Sequence, residues 1–283
     1  MSKDSQPHFS RQHWLTQSQF HAQSDAEILT LIVNKVQALA KLGPKPVVLL
    51  DLDSTLYEVA PRSFGIIREW ILSNRPTFAP HMWEVLERLQ LEHVGYSLND
   101  TLHALGLDVQ SPEVLKLAAD LKAYWWPRFF SNEYLPMDLP YPGAVEFAVQ
   151  LHGLGAHLVY LTGRERAKMG TGTILNLKRD GFPFDERTTL WMKEDSALDD
   201  RDYKLQAAKN VRSLGELVAS FENEPRNLVA LAAFYPNAFH VFVETVSSDH
   251  PAPRGEGIYR LKRFSSLNSI SNKTLTDDRV KER

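Results

Sequence analysis

The sequence predicts an α/β fold, a Rossmann-like doubly wound parallel sheet with an inserted α-helical domain, and three observations carry that prediction. Short, continuously apolar runs such as Val47-Val48-Leu49-Leu50 read as strands buried on both faces, the condition of a parallel sheet. After Gly143 such runs alternate with stretches of helical periodicity, the order that builds strand–helix–strand units. Between the first strand and that alternation lie roughly eighty residues without a convincing strand, far more than an ordinary strand-to-helix connection needs.

Taken in order, residues 1–24 lack hydrophobic periodicity and are rich in Ser, Gln and His, so they read as a mobile arm. Ser24 is a good N-cap for a helix running through Ala40 and stopping before Gly43-Pro44. The strand at Val47 to Leu50 follows. Residues 58–140 carry amphipathic stretches at Phe64 to Leu72, His81 to Leu91 and Pro112 to Phe130, and form the helical insertion. Residues 25–57 and 141–265 form the Rossmann-like core. Within it the pattern predicts a helix from Ala144 to Leu154, a strand from His157 to Leu161, a helix near Ala167 to Asp180 and a strand from Thr188 to Met192. A helix from Asp202 to Leu214, a strand from Leu217 to Phe221, a short helix after Pro225 and a strand from Phe239 to Glu244 complete the series. Residues 266–283 are polar and charged and read as a flexible tail.

Composition narrows the function. The 283 residues are 43% hydrophobic and 24% charged, ordinary for a globular protein with a substantial core. A formal net charge of -3 offers no bulk attraction for nucleic acid or an anionic membrane. No apolar run approaches the roughly 20 residues that cross a bilayer, and the polar start, Met1 to Phe20, lacks the apolar run of a secretory signal. With no cysteine there is no disulfide framework and no thiolate chemistry, which suits a cytoplasmic setting. The ten histidines show no His-Glu-x-x-His spacing, and no Walker-type Gly-x-x-x-x-Gly-Lys occurs, so zinc hydrolase and P-loop readings lack support.

The chemistry-bearing residues begin with Asp51-Leu52-Asp53-Ser54-Thr55-Leu56, directly after the first strand. Both carboxylates emerge at the carboxyl end of that strand, where open sheets of this kind bind ligands. Residues two apart in extended chain point to the same side, so Asp51 and Asp53 face one site. Two such carboxylates repel unless a cation or a shared proton relieves them, which points to a hard metal such as Mg2+. Alone, the pair also fits a capping or turn pair at a strand end.

This Asp-x-Asp-x-Thr pattern after an apolar strand resembles the first motif of the haloacid dehalogenase-like superfamily. The resemblance implies a Thr or Ser at the end of the next core strand, then a Lys, then an acidic loop, and each is present in order. Thr162 and Gly163 in Leu161-Thr162-Gly163-Arg164 fill the second place, where a hydroxyl and backbone N–H groups would hold a phosphoryl oxygen. Two lysines compete for the third. Lys193 lies just past a strand, whereas Lys204 in Asp202-Tyr203-Lys204 opens a helix in the family manner and is preferred. The fourth is Glu222-Asn223-Glu224, with Glu222 where many relatives carry Asp; Glu222 or Asn223 would complete the metal site formed with Asp51 and Asp53. The motifs span about Pro46 to Glu244 and leave the insertion and both tails unassigned.

What the resemblance implies is a Mg2+-dependent phosphomonoester hydrolase acting on a small phosphorylated metabolite, with no nucleic-acid or membrane partner. Asp51 would attack phosphorus to give an aspartyl-phosphate, Lys204 and Thr162 would stabilise the equatorial oxygens, and Asp53 would protonate the leaving alcohol and then activate water. The insertion matches the position of the family's first type of cap, which closes over the site. A phosphomutase would share these residues. A non-catalytic phosphoacceptor module and a degenerate scaffold are the rivals; the long insertion and Asp53 speak against the first, and Glu222 motivates the second. The run Tyr124-Trp125-Trp126-Pro127-Arg128-Phe129-Phe130 reads first as the core of the insertion, and Arg62, Arg68 and Arg128 as surface charges or contacts to a second anionic group.

Overall fold

A computed structural model describes residues 20–194, 197–248 and 258–264, so most of the N-terminal arm and the whole C-terminal tail lie outside the described residues. Helix α1 (Asp25–Leu42) starts where expected, because Ser24 and Glu27 form a reciprocal capping box, and it ends at Gly43 with φ 104°, a conformation that favours glycine. Strand β1 (Pro46–Leu50) is buried throughout. A two-residue strand β2 (Tyr57–Glu58) leads into the insertion, whose helices are α2 (Ala60–Asn74), α3 (Pro80–Leu86), α4 (Leu98–Ala104) and α5 (Pro112–Phe129). Strand β3 (Leu139–Pro140) leads out and pairs antiparallel with β2. The sequence gives no warning of this ribbon, since two residues are too few to show alternation.

The core resumes with α6 (Ala144–Gly153), β4 (His157–Glu165), α7 (Arg166–Arg179) and β5 (Thr188–Lys193). It continues with α8 (Asp200–Ala208), α9 (Val211–Leu214), β6 (Glu216–Glu222), α10 (Pro225–Phe234), β7 (Phe239–Val243) and β8 (Ile258–Leu261). The helix expected over 202–214 is divided: the N–H groups of Lys209 and Asn210 donate three residues back, to Gln206 and Ala207, and the chain tightens there. Strand β8 goes beyond the sequence reading. It is a four-residue edge strand with only its end residues buried, so its apolar signal is faint.

Six strands form one parallel sheet in the order β5-β4-β1-β6-β7-β8. Counted among themselves, these strands run third, second, first, fourth, fifth, sixth, the Rossmann order, whose switch point falls between β1 and β6. The period of two sorts the side chains. Val48, Leu50, Leu158 and Tyr160 meet α1 and α6 through Ile28, Ile32, Phe147 and Leu151. Val47, Leu49, Val159 and Leu161 meet the other layer through Ala208, Val211 and Leu231. The last described residues of the arm are not loose: Phe20 stacks on Phe242, and the His21 N–H donates to the Ile258 carbonyl at 3.0 Å.

The insertion has a separate hydrophobic cluster, with Ile67, Trp70 and Ile71 of α2 against Met82, Leu86, Leu102, Val114, Leu117 and Leu121. No helix among the described residues is long and apolar enough to cross a membrane.

Candidate active site

Asp51 stands at the carboxyl end of β1, at the switch point, with its N–H on the Phe221 carbonyl of β6 at 3.1 Å. The turn that follows is tight. Leu52 accepts from the N–H groups of Thr55, Leu56 and Tyr57, and Ser54 takes φ 58°, a left-handed conformation unusual for a side chain with Cβ. That turn carries Thr55 back under Asp51, where its hydroxyl lies 2.8 Å from Asp51 Oδ2.

The other oxygen of Asp51 meets Lys204. Its Nζ lies 2.6 Å from Asp51 Oδ1 and 2.7 Å from Glu222 Oε2, and all three side chains are buried. Of the two competing lysines it is therefore Lys204 that reaches Asp51; Lys193 instead pairs with Asp200 at 2.7 Å. Glu222 ends β6, and its second oxygen accepts the Glu224 N–H at 3.1 Å. Two carboxylates share one ammonium here, and the protonation equilibria register it. Burial pushes Asp51 above the usual carboxylate range against the pull of Lys204, and burial together with Asp51 pushes Glu222 up to about 8.

Asp53 lines the same cavity but belongs to a different cluster. Its carboxylate takes Arg164 Nη2 at 2.6 Å and Arg62 Nη2 at 2.8 Å. Both guanidiniums also meet Asp138, Arg164 at 2.8 Å and Arg62 at 3.0 Å, closing a ring of two acids and two arginines. Burial alone would raise Asp53, but Arg164 and Arg62 outweigh it and hold the carboxyl well below the usual range. In this arrangement the repulsion between Asp51 and Asp53 is met by separate protein cations, and Arg62 and Arg164 hold Asp53 as a carboxylate. Arg62 is also fully buried in that ring, where the sequence offered a surface charge or a contact to a second anion.

Thr162 lies near the end of β4, buried, and its hydroxyl accepts the Arg164 N–H at 3.2 Å. The pairing of β4 with β5 slips between Thr162 and Glu165, which frees the Gly163 and Arg164 backbone at the cavity edge. Gly163 is required by crowding, since a Cβ there would meet Asp200 Oδ2 at 2.6 Å. Asn223 is joined to Asp51 through Thr55, whose hydroxyl lies 3.2 Å from Asn223 Oδ1, while its Nδ2 donates to the Val246 carbonyl at 2.6 Å. Of the two residues expected as alternatives for the metal, Glu222 shares Lys204 directly with Asp51.

Asp51, Asp53, Thr162, Gly163, Lys204, Glu222 and Asn223 all line one cavity of about 570 Å3, a size that suits a small-molecule ligand. The insertion supplies the opposite wall through Tyr96, Trp125, Trp126, Phe129 and Phe130. The aromatic run is thus divided. Tyr124 and Trp125 pack against the insertion's core, as expected, while Trp126 is 53% exposed and faces the cavity. Among the described residues no group of three or more acidic or histidine side chains converges as a ready metal cage. Thr55, Asp138 and the ring role of Arg164 escaped the sequence reading. Arg164 sits inside the Thr162-Gly163-Arg164 motif and was within reach of it; Asp138 gives no local signal, because its partners come from distant segments.

No protein-family model matches the sequence, and no curated protein matches it. Solved structures do. A "Putative Phosphatase" from Clostridium difficile is similar at 14% identity and a TM-score of 0.50, over 80% of this chain and 98% of that one. A haloacid dehalogenase-like family hydrolase from Streptococcus pneumoniae aligns at 12% identity and a TM-score of 0.47, over 81% and 98%. A class C acid phosphatase from Bacillus anthracis, solved with tungstate bound, aligns at 16% identity and a TM-score of 0.39, over 78% and 79%. At 14% identity and a TM-score of 0.50 the likeness to the Clostridium difficile protein shows a shared fold, and the parallel α/β sheet is the one the sequence pattern predicted.

Proposed function

We propose that the chain hydrolyses phosphate monoesters of small molecules by transient phosphorylation of Asp51. One observation carries the reading: Asp51 ends the switch-point strand in a cavity, on a buried lysine and a second carboxylate, with Thr162 on the same wall. The fold shared with a protein named as a phosphatase supports it.

The donor set fits a small hard cation. With both carboxyls ionised, Asp51 and Glu222 exceed Lys204 by one negative charge. The raised range of both acids means a proton relieves that excess when no further cation is present, and Mg2+ in this buried, oxygen-lined place would take the proton's part. Asp51, Glu222 and the Asp53 backbone carbonyl would hold the ion, and when bound it would neutralise the phosphoryl dianion that otherwise repels a carboxylate nucleophile.

The residues then have distinct tasks. An Asp51 oxygen attacks phosphorus, the bond to the ester oxygen breaks, and Thr162 with the Gly163 N–H holds the equatorial oxygens beside Lys204. Once the hold of Arg62 and Arg164 loosens, Asp53 takes up a proton from solvent and passes it to the leaving oxygen. Arg62 stands on α2 of the insertion and Arg164 on the core, so movement of the insertion as a cap tunes the acidity of Asp53. In the second step Asp53 as carboxylate accepts a proton from water, whose oxygen attacks phosphorus and releases Asp51. A cytoplasmic setting is part of the same proposal and rests on the cysteine-free sequence.

The test is phosphate release from a panel of phosphometabolites with and without Mg2+, for the wild type and Asp51→Asn. Metal-dependent release abolished by the substitution is expected. Unchanged release would overturn the nucleophile assignment, and a phosphoprotein that forms once and persists would favour a phosphoacceptor module.

A further inference from the structure

The wall opposite Asp51 has a chemical character that the hydrolysis reading leaves unused. Trp125 stacks on Phe129 with ring centroids 4.2 Å apart, and Trp126 leans on Phe130 at 4.7 Å, so four rings at the end of α5 present a continuous aromatic surface. Trp126 belongs to neither the insertion's core nor the sheet's, whereas Phe129 is covered by Trp125 and by the Arg62 guanidinium, 3.9 Å from its ring centroid. Leaving an indole half exposed forgoes burial that the fold takes elsewhere, and here the exposed ring faces the cavity that ends on Asp51.

The charge of the cavity adds a second constraint. Seven acidic and four basic side chains line it. Each of the four cations already has a carboxylate partner: Lys204 with Asp51 and Glu222, Arg164 with Asp53 and Asp138, Lys193 with Asp200, and Lys168 with Glu165. A concave wall with surplus negative charge repels anions. The phosphoryl group is answered by the cation proposed with Asp51 and Glu222, whereas a second anionic group on the same ligand finds no unengaged cation among the described residues lining the cavity.

We propose that the substrates are phosphomonoesters whose leaving group is a flat aromatic ring, neutral or positively charged, received against Trp126, and that a second anionic group is rejected. The proposal rests on the phosphatase reading and names the substrate class for that same site.

Four benzyl-type and alkyl esters test it, because their alcohols differ little in basicity and the chemical step is matched. With Mg2+ present, kcat/KM is measured for benzyl, butyl, 4-(aminomethyl)benzyl and 4-carboxybenzyl phosphate. Benzyl phosphate is expected to exceed butyl phosphate by roughly threefold to tenfold, the worth of one good aromatic contact. The aminomethyl ester should match or exceed benzyl, and the carboxyl ester should fall about tenfold or more below it. Trp126→Ala should bring the benzyl-to-butyl ratio to about one through KM, and Trp126→Phe should keep most of it. Trp126→Leu, which keeps apolar bulk without a ring, stands in if the alanine variant does not fold. Equal rates for benzyl and butyl, or a carboxyl ester as good as benzyl, overturn this proposal and leave hydrolysis standing. No metal-dependent release from any of these esters or from acetyl phosphate overturns the phosphatase reading, and this proposal with it.

Discussion

Two buried ionic clusters sit side by side at the end of the sheet, and they are built to opposite rules. Around Lys204, two carboxylates share one ammonium, and both acids are driven above their ordinary range. Around Asp53, two guanidiniums face two carboxylates, the charges balance, and the acid nearest the cavity is driven down. An unbalanced buried cluster is one in which a further cation is welcome and a nucleophile is kept electron-rich. A balanced one costs less to bury and fixes geometry. The first holds the proposed nucleophile, and the second holds the residue that must change protonation state on cue.

Substitutions that alter the two balances should therefore separate activity from stability. The largest effect is on turnover: Asp51→Asn should lower phosphate release by at least about a thousandfold. The same variant leaves Lys204 and Glu222 as a one-to-one pair, so its urea midpoint should stay level or rise; a marked fall would mean that the Lys204 cluster is a structural ion pair and not a poised one. Arg164→Met does the reverse. It leaves Asp53 and Asp138 with one guanidinium, and the loss of a buried partner should cost about 3–5 kcal/mol in denaturant unfolding.

The ring also predicts a pH dependence. Asp138, fully buried, has a folded pKa raised to about 6 from 3.8, because burial outweighs its two arginines. A carboxyl raised on folding binds more protons in the folded state, so its contribution to stability is full below the unfolded value and is lost as pH rises through the folded one. Stability attributable to Asp138 should thus decline between about pH 4 and pH 6, by an amount on the order of 3 kcal/mol. Asp138→Asn should flatten that part of the stability profile; identical slopes in both proteins would remove Asp138 as the titrating group. Next in size is the effect of Mg2+, which at about a hundredfold excess over its Kd should add about 2.7 kcal/mol of stability. The gain should vanish in Glu222→Gln, and if it survives there, Glu222 is not a ligand. The smallest stability effect belongs to Trp126→Ala, within about 0.5 kcal/mol, because the ring is half exposed and outside both cores.

What the sequence revealed, and what it hid, follows from the range of the interactions. The Ser24 cap, the run Val47 to Leu50 and the strand beginning at His157 are local patterns, and each starts where its pattern placed it, although the last runs on past Thr162 to Glu165. The parallel sheet itself was legible because burial on both faces writes itself into consecutive residues. The cluster on Lys204 joins residues 51, 204 and 222, and only the motif order suggested that they meet. The ring on Asp53 was illegible for the same reason carried further. Arg62 and Asp138 lie 76 positions apart, near the two ends of the insertion, and neither sits in a recognisable motif. The bond of Asn223 to the Val246 carbonyl was equally illegible, because an amide at a strand end gives no sign of which distant loop it will meet.

The two-residue ribbon of β2 and β3 has a further consequence. By pairing Tyr57 with Pro140 and Glu58 with Leu139, it brings the entry and exit of the insertion side by side. The sheet therefore meets the same closed gate whatever the intervening chain contains. Lengthening that chain costs little once its ends are joined, since a doubling adds only about 0.6 kcal/mol of closure entropy. The helices α3 and α4, which carry none of the ring on Asp53, could then be shortened or redecorated without moving Asp51, so the floor that holds the proposed nucleophile and the ceiling above it can vary independently.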